Sequence, residues 1–469
     1  MSKLNRDIIF YIFQDLIDFT NMNLNNNKKY RKSLFYCLLV NKLWCEIMIP
    51  ILWSSPYKYI CKKELFFNII ISHLSDNSIK LLKNNYIIKS NFQKQKLSFN
   101  YIKFCKNLND IHKVLPNDSI LKKEIYKLFI SECSIKCLSL NMIYYPIFQY
   151  PGANISLSNL YELYCNIREQ NFYHELAQIC RSIEKLYIEL DDYDLSGIVE
   201  LIEMQKHIKY LYIEGYCECQ KIAQALEKHV NSIIYLVSTK YTSFLYFLFP
   251  KLTNLQFIRI RNGDNINNYE PIKKFEEYAM DASYYKLQIL ELYKISLYIV
   301  INIIQNTNGN LWKIKIRIPS YDQAKEYNQT IYRYCPNIKY ATVFLNRDET
   351  LEELKNIFIK CQYLVAIDID ELILEKYRDK FLDLLIELAP LPLYKIHIDR
   401  FRYFNKESLK LFFNNWNCKG KKTLHLYHRF VEVHNFIKKY KIEGIIECNY
   451  YDDDFWNHEI TWPDIVKDI

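Results

Sequence analysis

The sequence predicts an α/β protein in which a short helical module at the N-terminus precedes a long array of strand–helix repeats. Three observations lead to this prediction. Apolar residues near the N-terminus recur at the spacing of an α-helix. From residue 134 onward, a six-residue pattern, apolar-x-x-apolar-x-apolar, recurs along the chain, with helix-like runs between its copies. The chain has 469 residues, half of them apolar, which is enough length and apolar content for such an array.

Residues 1–56 are the first predicted domain, a module of three short helices. The apolar residues that share one face of the first helix are Ile8, Ile9, Ile12, Phe13 and Leu16. Their counterparts in the second and third helices and at the end of the segment are Leu34, Cys37, Leu38, Trp44, Ile47, Met48, Leu52 and Trp53. A polar, Asn-rich insert at residues 19–32 separates the first two helices. Because so small a module cannot bury all these side chains, we expect a partner to cover some of them.

This segment resembles an F-box, a helical module whose family pattern runs Leu-Pro-x-Glu-Ile-Leu-x-x-Ile-Phe-x-x-Leu, then Val-Cys-x-x-Trp, then Leu-Trp. The residues that fall on this pattern are Leu4, Asp7, Ile8, Ile9, Ile12, Phe13, Leu16, Val40, Trp44, Leu52 and Trp53. Asn5 stands where the family has proline, and the insert at residues 19–32 lengthens the first connection. Proline favours a helix start but is not required there. The alternative is an amphipathic helical cap at the N-terminus.

Residues 57–133 are predicted as a helical, Lys-rich linker, with helices at Leu65–Leu74 and Ile120–Phe129. Between residues 80 and 123, basic and aromatic residues are interleaved in a way that can bind single-stranded nucleic acid by backbone charge and base stacking. Because aromatic residues are dense along the whole chain, the favoured interpretation is a solvated face above an aromatic core. The residues concerned are Lys89, Lys94, Lys96, Lys103, Lys106, Phe92, Phe99, Tyr101 and Phe104.

Residues 134–447 carry the repeated strand pattern. Its clear copies begin at Ile135, Leu160, Ile183, Ile208, Leu255, Leu287, Leu311, Ile338, Leu364 and Leu393. Successive copies lie roughly 23 to 32 residues apart, except for one gap of about twice that length, which contains the degenerate copy Ile233–Val237. Helix-like runs between copies include Gly197–Met204, Ile222–Val230, Ile295–Gln305, Leu351–Lys360 and Lys380–Leu388. One strand and one helix per unit of this length resembles the leucine-rich repeat, although most units lack its usual asparagine.

A leucine-rich-repeat-like solenoid of about ten to twelve units places parallel strands on its concave face and helices on its convex face. Neighbouring units stack, because one strand–helix unit cannot bury its own inner face. Charged and tyrosine-rich positions between the apolar ones suit a protein partner on the concave face. The predicted target-binding residues are Lys185, Tyr187, Lys209, Tyr212, Arg259, Arg261, Lys313, Lys315 and Arg317. The alternative is an ordinary α/β domain with coincidental strand spacing.

Residues 448–469 form an acidic and aromatic tail, which is predicted to cap the exposed end of the last repeat. A docking role is the alternative, because tryptophans such as Trp456 and Trp462 are favoured anchors at protein interfaces.

The sequence offers no motif for catalysis, a metal site or a membrane span. With seven glycines it contains no Gly-rich phosphate loop, and neither HExxH nor GxSxG occurs. Its 14 cysteines show no disulfide framework, and Cys217 and Cys219 are one residue too close for a zinc-type pair. The longest apolar run, Ile295–Ile304, is too short to span a bilayer. We therefore expect no cofactor, no metal, no membrane contact and a reducing compartment, cytosol or nucleus.

An F-box followed by leucine-rich-like repeats resembles the substrate receptors of cullin-based SCF-type ubiquitin ligases, especially those of large fungal families. The resemblance implies a non-catalytic chain that docks on a Skp-type adaptor, and through it on a cullin, while its solenoid holds a target protein. The adaptor-binding residues it implies are Leu4, Ile8, Ile9, Ile12, Phe13, Leu16, Leu34, Leu38, Val40, Trp44, Leu52 and Trp53. One alternative is an interaction scaffold outside any ligase. The other is a nucleic-acid binder that uses residues 80–123, but the net charge of +9 is spread along the chain, which argues against it.

Overall fold

A computed structural model describes most of the chain, which divides into two compact units, Met1–Ile208 and Lys209–Ile469. The residues described are 5–22, 27–59, 63–109, 111, 114–139, 145–165, 170–190, 195–215, 220–239, 243–261, 277–278, 280, 282–318, 320–345, 348–370, 375–398, 404–418, 421–428 and 437–450. The predicted tail at residues 448–469 lies outside them from residue 451 onward, and so do Leu4, Cys217 and Cys219.

The first unit opens with three helices, as predicted. They are α1 (Arg6–Met22), α2 (Asn27–Cys37) and α3 (Lys42–Ser54). The insert at residues 19–32 was expected to be a connection, but α1 continues to Met22 and α2 begins at Asn27. Each residue added to a helix gains one backbone hydrogen bond, so both helices extend into this polar sequence. Asn41 caps α3, because its Oδ1 accepts a hydrogen bond of 2.9 Å from the Trp44 N–H.

Side chains from all three helices form one core in this helical module. Helix α1 contributes Ile9 and Phe13, α2 contributes Leu34, and α3 contributes Met48 and Leu52, and all five are buried. The module therefore has an apolar core of its own.

The segment between the helical module and the first strand contains α4 (Lys63–His73), α5 (Asp76–Asn84) and α6 (Ser119–Glu132). This segment ties the module to the strands through Lys106. The Lys106 N–H donates to the carbonyl of Ser54 at the end of α3, over 3.0 Å. The Lys106 carbonyl accepts hydrogen bonds from the Lys136 and Cys137 N–H groups, at 2.7 and 3.0 Å. The helical module and the first strand thus share a continuous backbone hydrogen-bond network.

The strands of the first unit are β1 (Cys137–Ser139), β2 (Glu162–Cys165) and β3 (Lys185–Leu190). Each is parallel to the next, with Leu138 opposite Leu163 and Leu163 opposite Leu186. The helices in this part of the unit are α7 (Ala153–Ser156), α8 (Gln170–Ile179) and α9 (Ser196–Met204).

In the second unit, the described residues form a parallel sheet of ten strands, each paired with the next in sequence. The strands are β4 (Tyr210–Gly215), β5 (Tyr235–Ser238), β6 (Phe257–Ile260), β7 (Ile289–Tyr293), β8 (Lys313–Arg317), β9 (Tyr340–Phe344), β10 (Ala366–Asp370), β11 (Lys395–Ile398), β12 (Leu424–His428) and β13 (Ile446–Tyr450). The helices are α10 (Gln220–Glu227), α11 (Ser243–Leu248), α12 (Leu297–Gln305), α13 (Ala324–Tyr334), α14 (Asp348–Lys360), α15 (Glu375–Leu388), α16 (Lys406–Cys418) and α17 (Ile437–Ile442).

This order confirms the predicted fold class, an α/β solenoid of leucine-rich-repeat type with strands on the concave face and helices on the convex face. The apolar positions of the strand pattern are buried. In β8 these positions are Ile314 and Ile316, and Ile303 of α12 and Ile331 of α13 are buried as well. Each unit of the repeat therefore supplies part of a shared core.

Strands β12 and β13 were not predicted. The positions of β12 that correspond to Leu393 and Ile398 carry Thr423 and His428, so the apolar pattern is broken at both ends. Strand β13 crosses the predicted boundary between residues 447 and 448. The parallel pairing of β12 with β11 and of β13 with β12 continues the sheet despite these changes.

The described cysteines behave as small apolar residues. Those with described side chains are all thiols, and Cys165, Cys335 and Cys361 are buried. Burial raises the pKa of each of these thiols, that of Cys361 to about 12. Among the described residues, no helix has both the length and the hydropathy needed to cross a membrane.

Gly197 allows helices α8 and α9 to approach each other closely. A Cβ atom at this position would lie 2.3 Å from the Gln170 carbonyl oxygen and 3.0 Å from the Tyr173 Cβ. We predict that Gly197→Ala destabilises the chain by about 1–3 kcal/mol through overpacking, and thermal unfolding measures this as a lower Tm. Glu203→Ala, at an exposed position of α9, adds no atom to the contact and serves as the control. Equal melting temperatures for Gly197→Ala and the unmodified chain would contradict this account of the helix contact.

Candidate functional site

The predicted adaptor-binding residues fall into three groups by burial, and Leu4 lies outside the described residues. The buried group consists of Ile9, Phe13, Leu34 and Leu52. The half-buried group packs on the module core and consists of Leu16, Leu38, Trp44 and Trp53. The exposed group consists of Ile8, Ile12 and Val40. The exposed group is available for direct contact with a partner, whereas the buried group shapes the helices that present it.

Further apolar side chains that were not predicted as contacts are also exposed on this module. They are Phe10 and Tyr11 on α1, Tyr36 on α2, and Leu39 directly after α2. Tyr11 lies three residues after Ile8, and Leu39 lies three residues after Tyr36, so each pair shares a helical face or its continuation. The signal for these residues is the same helical spacing that predicted the core, repeated on a second face of the helices.

The two tryptophans of the module hold it together and anchor it to the rest of the first unit. The rings of Trp44 and Phe13 meet edge to face with centroids 5.1 Å apart. Trp53 stacks on Phe66 of α4 at 5.6 Å and packs against Tyr101 at 4.8 Å. Trp53 therefore packs the end of the module against the segment that follows it.

In the Lys-rich segment between residues 80 and 123, the lysines named above are exposed and the four aromatic rings named with them are half-buried, whereas Tyr86 is exposed. Lys94 forms an ion pair of 2.6 Å with Asp76. The Tyr101 ring is in contact with Trp53 and Phe99, at 4.8 and 5.8 Å. Rings engaged in this way present less area for base stacking, which favours the interpretation of a solvated face over an aromatic core.

On the concave face of the first unit, the predicted contacts Lys185 and Tyr187 lie on β3. Lys185 is buried, with its Nζ 5.5 Å from the centre of the Tyr161 ring, and burial lowers the pKa of this lysine. The Tyr187 ring stacks on Tyr164 of β2 at 4.0 Å. Tyr187 is the more exposed of the two predicted contacts and can meet a partner directly.

On the concave face of the second unit, Lys209, Tyr212, Arg259, Arg261 and Arg317 are half-buried. Lys313 and Lys315 were predicted as exposed contacts, but they are only 2% and 4% exposed. Both lie beside Glu291 in the first of two ion clusters, which together run across strands β6 to β11.

The first ion cluster is centred on Glu291 of β7, which is fully buried. Its Oε2 accepts a hydrogen bond of 2.5 Å from Arg259 Nε, and its Oε1 lies 3.0 Å from Lys313 Nζ. Burial alone would raise the pKa of Glu291, but Lys313 and Arg259 outweigh that effect and hold it at about 2. Glu291 is therefore a carboxylate at neutral pH.

The second ion cluster is centred on Asp368 of β10, which is also fully buried. Arg317 Nη1 reaches across β9 to Asp368 Oδ2 at 2.6 Å, and His397 Nδ1 lies 2.5 Å from Oδ1. Thr342, on the strand between, is small enough to leave this path open, and its hydroxyl donates to Asp368 over 3.3 Å. Burial opposes ionisation of Asp368, but Arg317 and His397 outweigh it and hold the pKa well below its usual range.

The sequence pattern did not identify Glu291, Asp368 or His397 as part of this surface. All three occupy the position between the two apolar residues of their strands, which is the position that Tyr212 and Arg259 occupy in theirs. The signal was therefore present in the alternation of each strand, but which charges meet depends on the register between strands.

Next to the ion clusters, the concave face is apolar and aromatic. Tyr235 and Phe257 stack in parallel at 4.0 Å, and Tyr210 and Ile289 complete a buried row with them. Trp312 packs at the edge of this row and meets Tyr340 edge to face at 6.0 Å. The concave face of this unit thus combines an aromatic row with a charged row.

Within the described residues, one serine–histidine–glutamate grouping occurs, on helices α8 and α9. Ser196 Oγ lies 3.4 Å from His174 Nε2, and His174 Nδ1 contacts Glu200. The two N–H groups after the serine, of Gly197 and Ile198, both donate to the side-chain oxygen of Gln170. They are therefore not available to stabilise an oxyanion, which acyl-transfer chemistry requires.

The described side chains include no group of three or more His, Cys, Asp and Glu residues placed to hold a metal ion.

Comparison with known proteins finds no match in sequence and a weak similarity among solved structures. No protein-family model matches the sequence, and no curated protein matches it significantly. Among solved structures, the chain is similar to the leucine-rich-repeat-containing protein LegL7 from Legionella pneumophila. The match has 13% sequence identity and a TM-score of 0.36, and it covers 59% of this chain and 99% of that chain. The repeat fold follows from the strand order and burial described above.

The ion cluster at Glu291 makes the free energy of unfolding depend on pH. Because the folded-state pKa of about 2 lies below the ordinary value of 4.5, the stabilisation is complete above pH 4.5 and is lost as the pH falls towards 2. A shift of this size corresponds to roughly 3 kcal/mol. We predict that the urea midpoint of unfolding falls between pH 7 and pH 3, and that Glu291→Gln lowers the midpoint at pH 7 and reduces this fall.

The matched control for this experiment is Glu349→Gln, on α14. Its side chain is 65% exposed and pairs with Lys325, so its loss should leave the pH dependence of the urea midpoint unchanged. If Glu291→Gln showed the same fall between pH 7 and pH 3 as the unmodified chain, Glu291 would not be the charged centre of the cluster.

Proposed function

We propose that this chain is the substrate-receptor subunit of a cullin-based ubiquitin ligase of the SCF type. Helices α1 to α3 dock on a Skp-type adaptor, and the concave face of the solenoid holds a target protein. Other subunits carry out ubiquitin transfer, so the chain acts as a binding component and needs no nucleophile of its own.

The observation that carries this proposal is the exposed apolar surface of a module whose core is already complete. Ile8 and Ile12 on α1 are 50% and 45% exposed, and Leu39 and Val40 after α2 are 80% and 56% exposed. Apolar surface in contact with water costs free energy, which a partner that covers it would recover. The resemblance of the segment to an F-box supports a Skp-type adaptor as that partner.

The backbone connection through Lys106 supports the same division of labour. It joins the end of α3 to strand β1 by hydrogen bonds of 2.7 to 3.0 Å, and Trp53 packs at the same joint. A receptor contributes by holding a target near the conjugating enzyme, which raises the effective concentration of the target lysines. A firm joint between the adaptor-binding helices and the first repeat suits this role.

The first test of the proposal is a charge placed on the exposed face of α1. We predict that Ile12→Asp in the full-length chain weakens binding to a purified Skp-type adaptor about tenfold or more, because the interface would then desolvate a carboxylate. The melting temperature should change little, because Ile12 is half exposed and outside the module core. Isothermal titration calorimetry measures the affinity. Changes at Leu16 or Trp44 are less informative, because both pack on that core.

The matched control is Leu65→Asp on α4, where the leucine is 56% exposed but lies outside the helical module. It introduces the same charge and should leave adaptor binding intact. Equal affinities for Ile12→Asp and the unmodified chain, or no adaptor binding by either, would contradict the proposal. Adaptor binding without recruitment of a cullin would favour an interaction scaffold outside any ligase.

A further inference from the structure

Among the described residues, the concave side of strands β6 to β10 carries more positive than negative charge. Five cations lie on this part of the face, one of them, Arg261, directly after β6, and three carboxylates face them, so the described side chains carry two more positive than negative charges. The cations, called here the cationic cluster, are Arg259, Arg261, Lys313, Lys315 and Arg317. The carboxylates are Glu291, Asp368 and Asp370.

This excess charge is poorly solvated. Lys313 and Lys315 are almost fully buried, and the side chains of Arg259 and Arg317 are 21% and 20% exposed. Cations held away from water without an equal number of anions are unfavourable. An anion that enters the concave face would lower this cost, so the cluster is suited to a negatively charged ligand.

The arginines are also held in position for such a ligand. Arg259 lies over the Phe257 ring at 5.4 Å, and Arg261 lies over the Tyr293 ring at 5.1 Å. Arg259 binds Glu291 through Nε, and its two terminal amino groups have no hydrogen-bond partner among the described residues. A guanidinium group with both terminal nitrogens available can bind a carboxylate through two parallel hydrogen bonds. Because the aromatic rings already orient these arginines, less freedom is lost on binding.

The aromatic row beside the cluster argues against a nucleic-acid ligand. Tyr235 and Phe257 are buried and stacked on each other at 4.0 Å, so their faces are already covered. Binding of single strands uses exposed rings on which bases stack, together with a groove of exposed cations. Here two of the five cations are buried, and the charge excess is small.

We infer that the cationic cluster binds an acidic peptide segment of the target protein, with Arg259 and Arg261 contacting aspartate or glutamate carboxylates. This inference rests on the proposed function in one respect, that the concave face receives the target. It adds the chemistry of the segment that is recognised.

The test uses a fluorescein-labelled peptide of eight glutamates with Gly-Ser flanks, and an otherwise identical peptide of eight glutamines. Fluorescence anisotropy with the full-length chain should show binding of the glutamate peptide and about tenfold weaker binding of the glutamine peptide. Arg261→Gln should weaken binding of the glutamate peptide about fivefold or more. Asp370→Asn removes one carboxylate from the face and should tighten binding at least about twofold.

The matched control is Arg333→Gln on helix α13, an exposed arginine on the convex side of the same unit. It makes the same change in net charge and should leave peptide binding unchanged. Equal losses for Arg261→Gln and Arg333→Gln would overturn the inference, because binding would then follow net charge alone. If Arg261→Gln does not fold, as judged by circular dichroism, the result for Asp370→Asn decides, and unchanged or weaker binding there overturns the inference.

Two further outcomes separate this inference from its rivals. Tighter binding of a phosphoserine peptide or of single-stranded RNA, lost in Arg261→Gln, would overturn the choice of a carboxylate-rich segment.

Adaptor titrations on the same preparation distinguish the two proposals. Glutamate-peptide binding without adaptor binding would remove the ligase role and support the inference, whereas adaptor binding without peptide binding would overturn the inference alone.

Discussion

The parallel pairing of successive strands is the constraint on which the solenoid and its binding face both depend. Alternate side chains of each strand face opposite ways, so one set fills the core with the helices and the other lies in rows on the concave face. Glu291 lies in register between Arg259 and Lys315 because β6, β7 and β8 pair residue by residue. A slip of one residue would turn Glu291 into the core and Leu292 out of it. The apolar pattern therefore also determines where the charges meet.

The ion clusters are an unusual way to fill the concave face of the second unit. Strands β4 and β5 fill the same rows with Tyr210, Tyr235 and Val237, which shows that apolar side chains fit this surface. Well-packed apolar residues are often as stabilising as buried ion pairs, or more so. Stability alone therefore does not explain the charged rows around Glu291 and Asp368. The burial of their partners also makes them rigid, which suits a surface that selects one ligand.

Much of the fold could be predicted from the sequence, because the strand pattern reports which residues face the core. The pattern predicted β1 to β11 in the correct order. It failed at β12, where Thr423 and His428 stand at two of its apolar positions. The site was less predictable. Lys313 was expected to be exposed, but Glu291 on the neighbouring strand draws it into a buried pair. In α1, helical spacing identified an apolar face but could not separate Ile9, which is buried, from Ile8, which is exposed.

We propose that one chain carries two independent binding surfaces, the helices α1 to α3 for an adaptor and the concave face for a target. The most direct measurement is the affinity of the full-length chain for the glutamate peptide with and without a saturating amount of Skp-type adaptor. We predict a complex of all three components and the same peptide affinity in both cases. Displacement of the peptide by the adaptor would contradict it, because the two ligands would then share a surface.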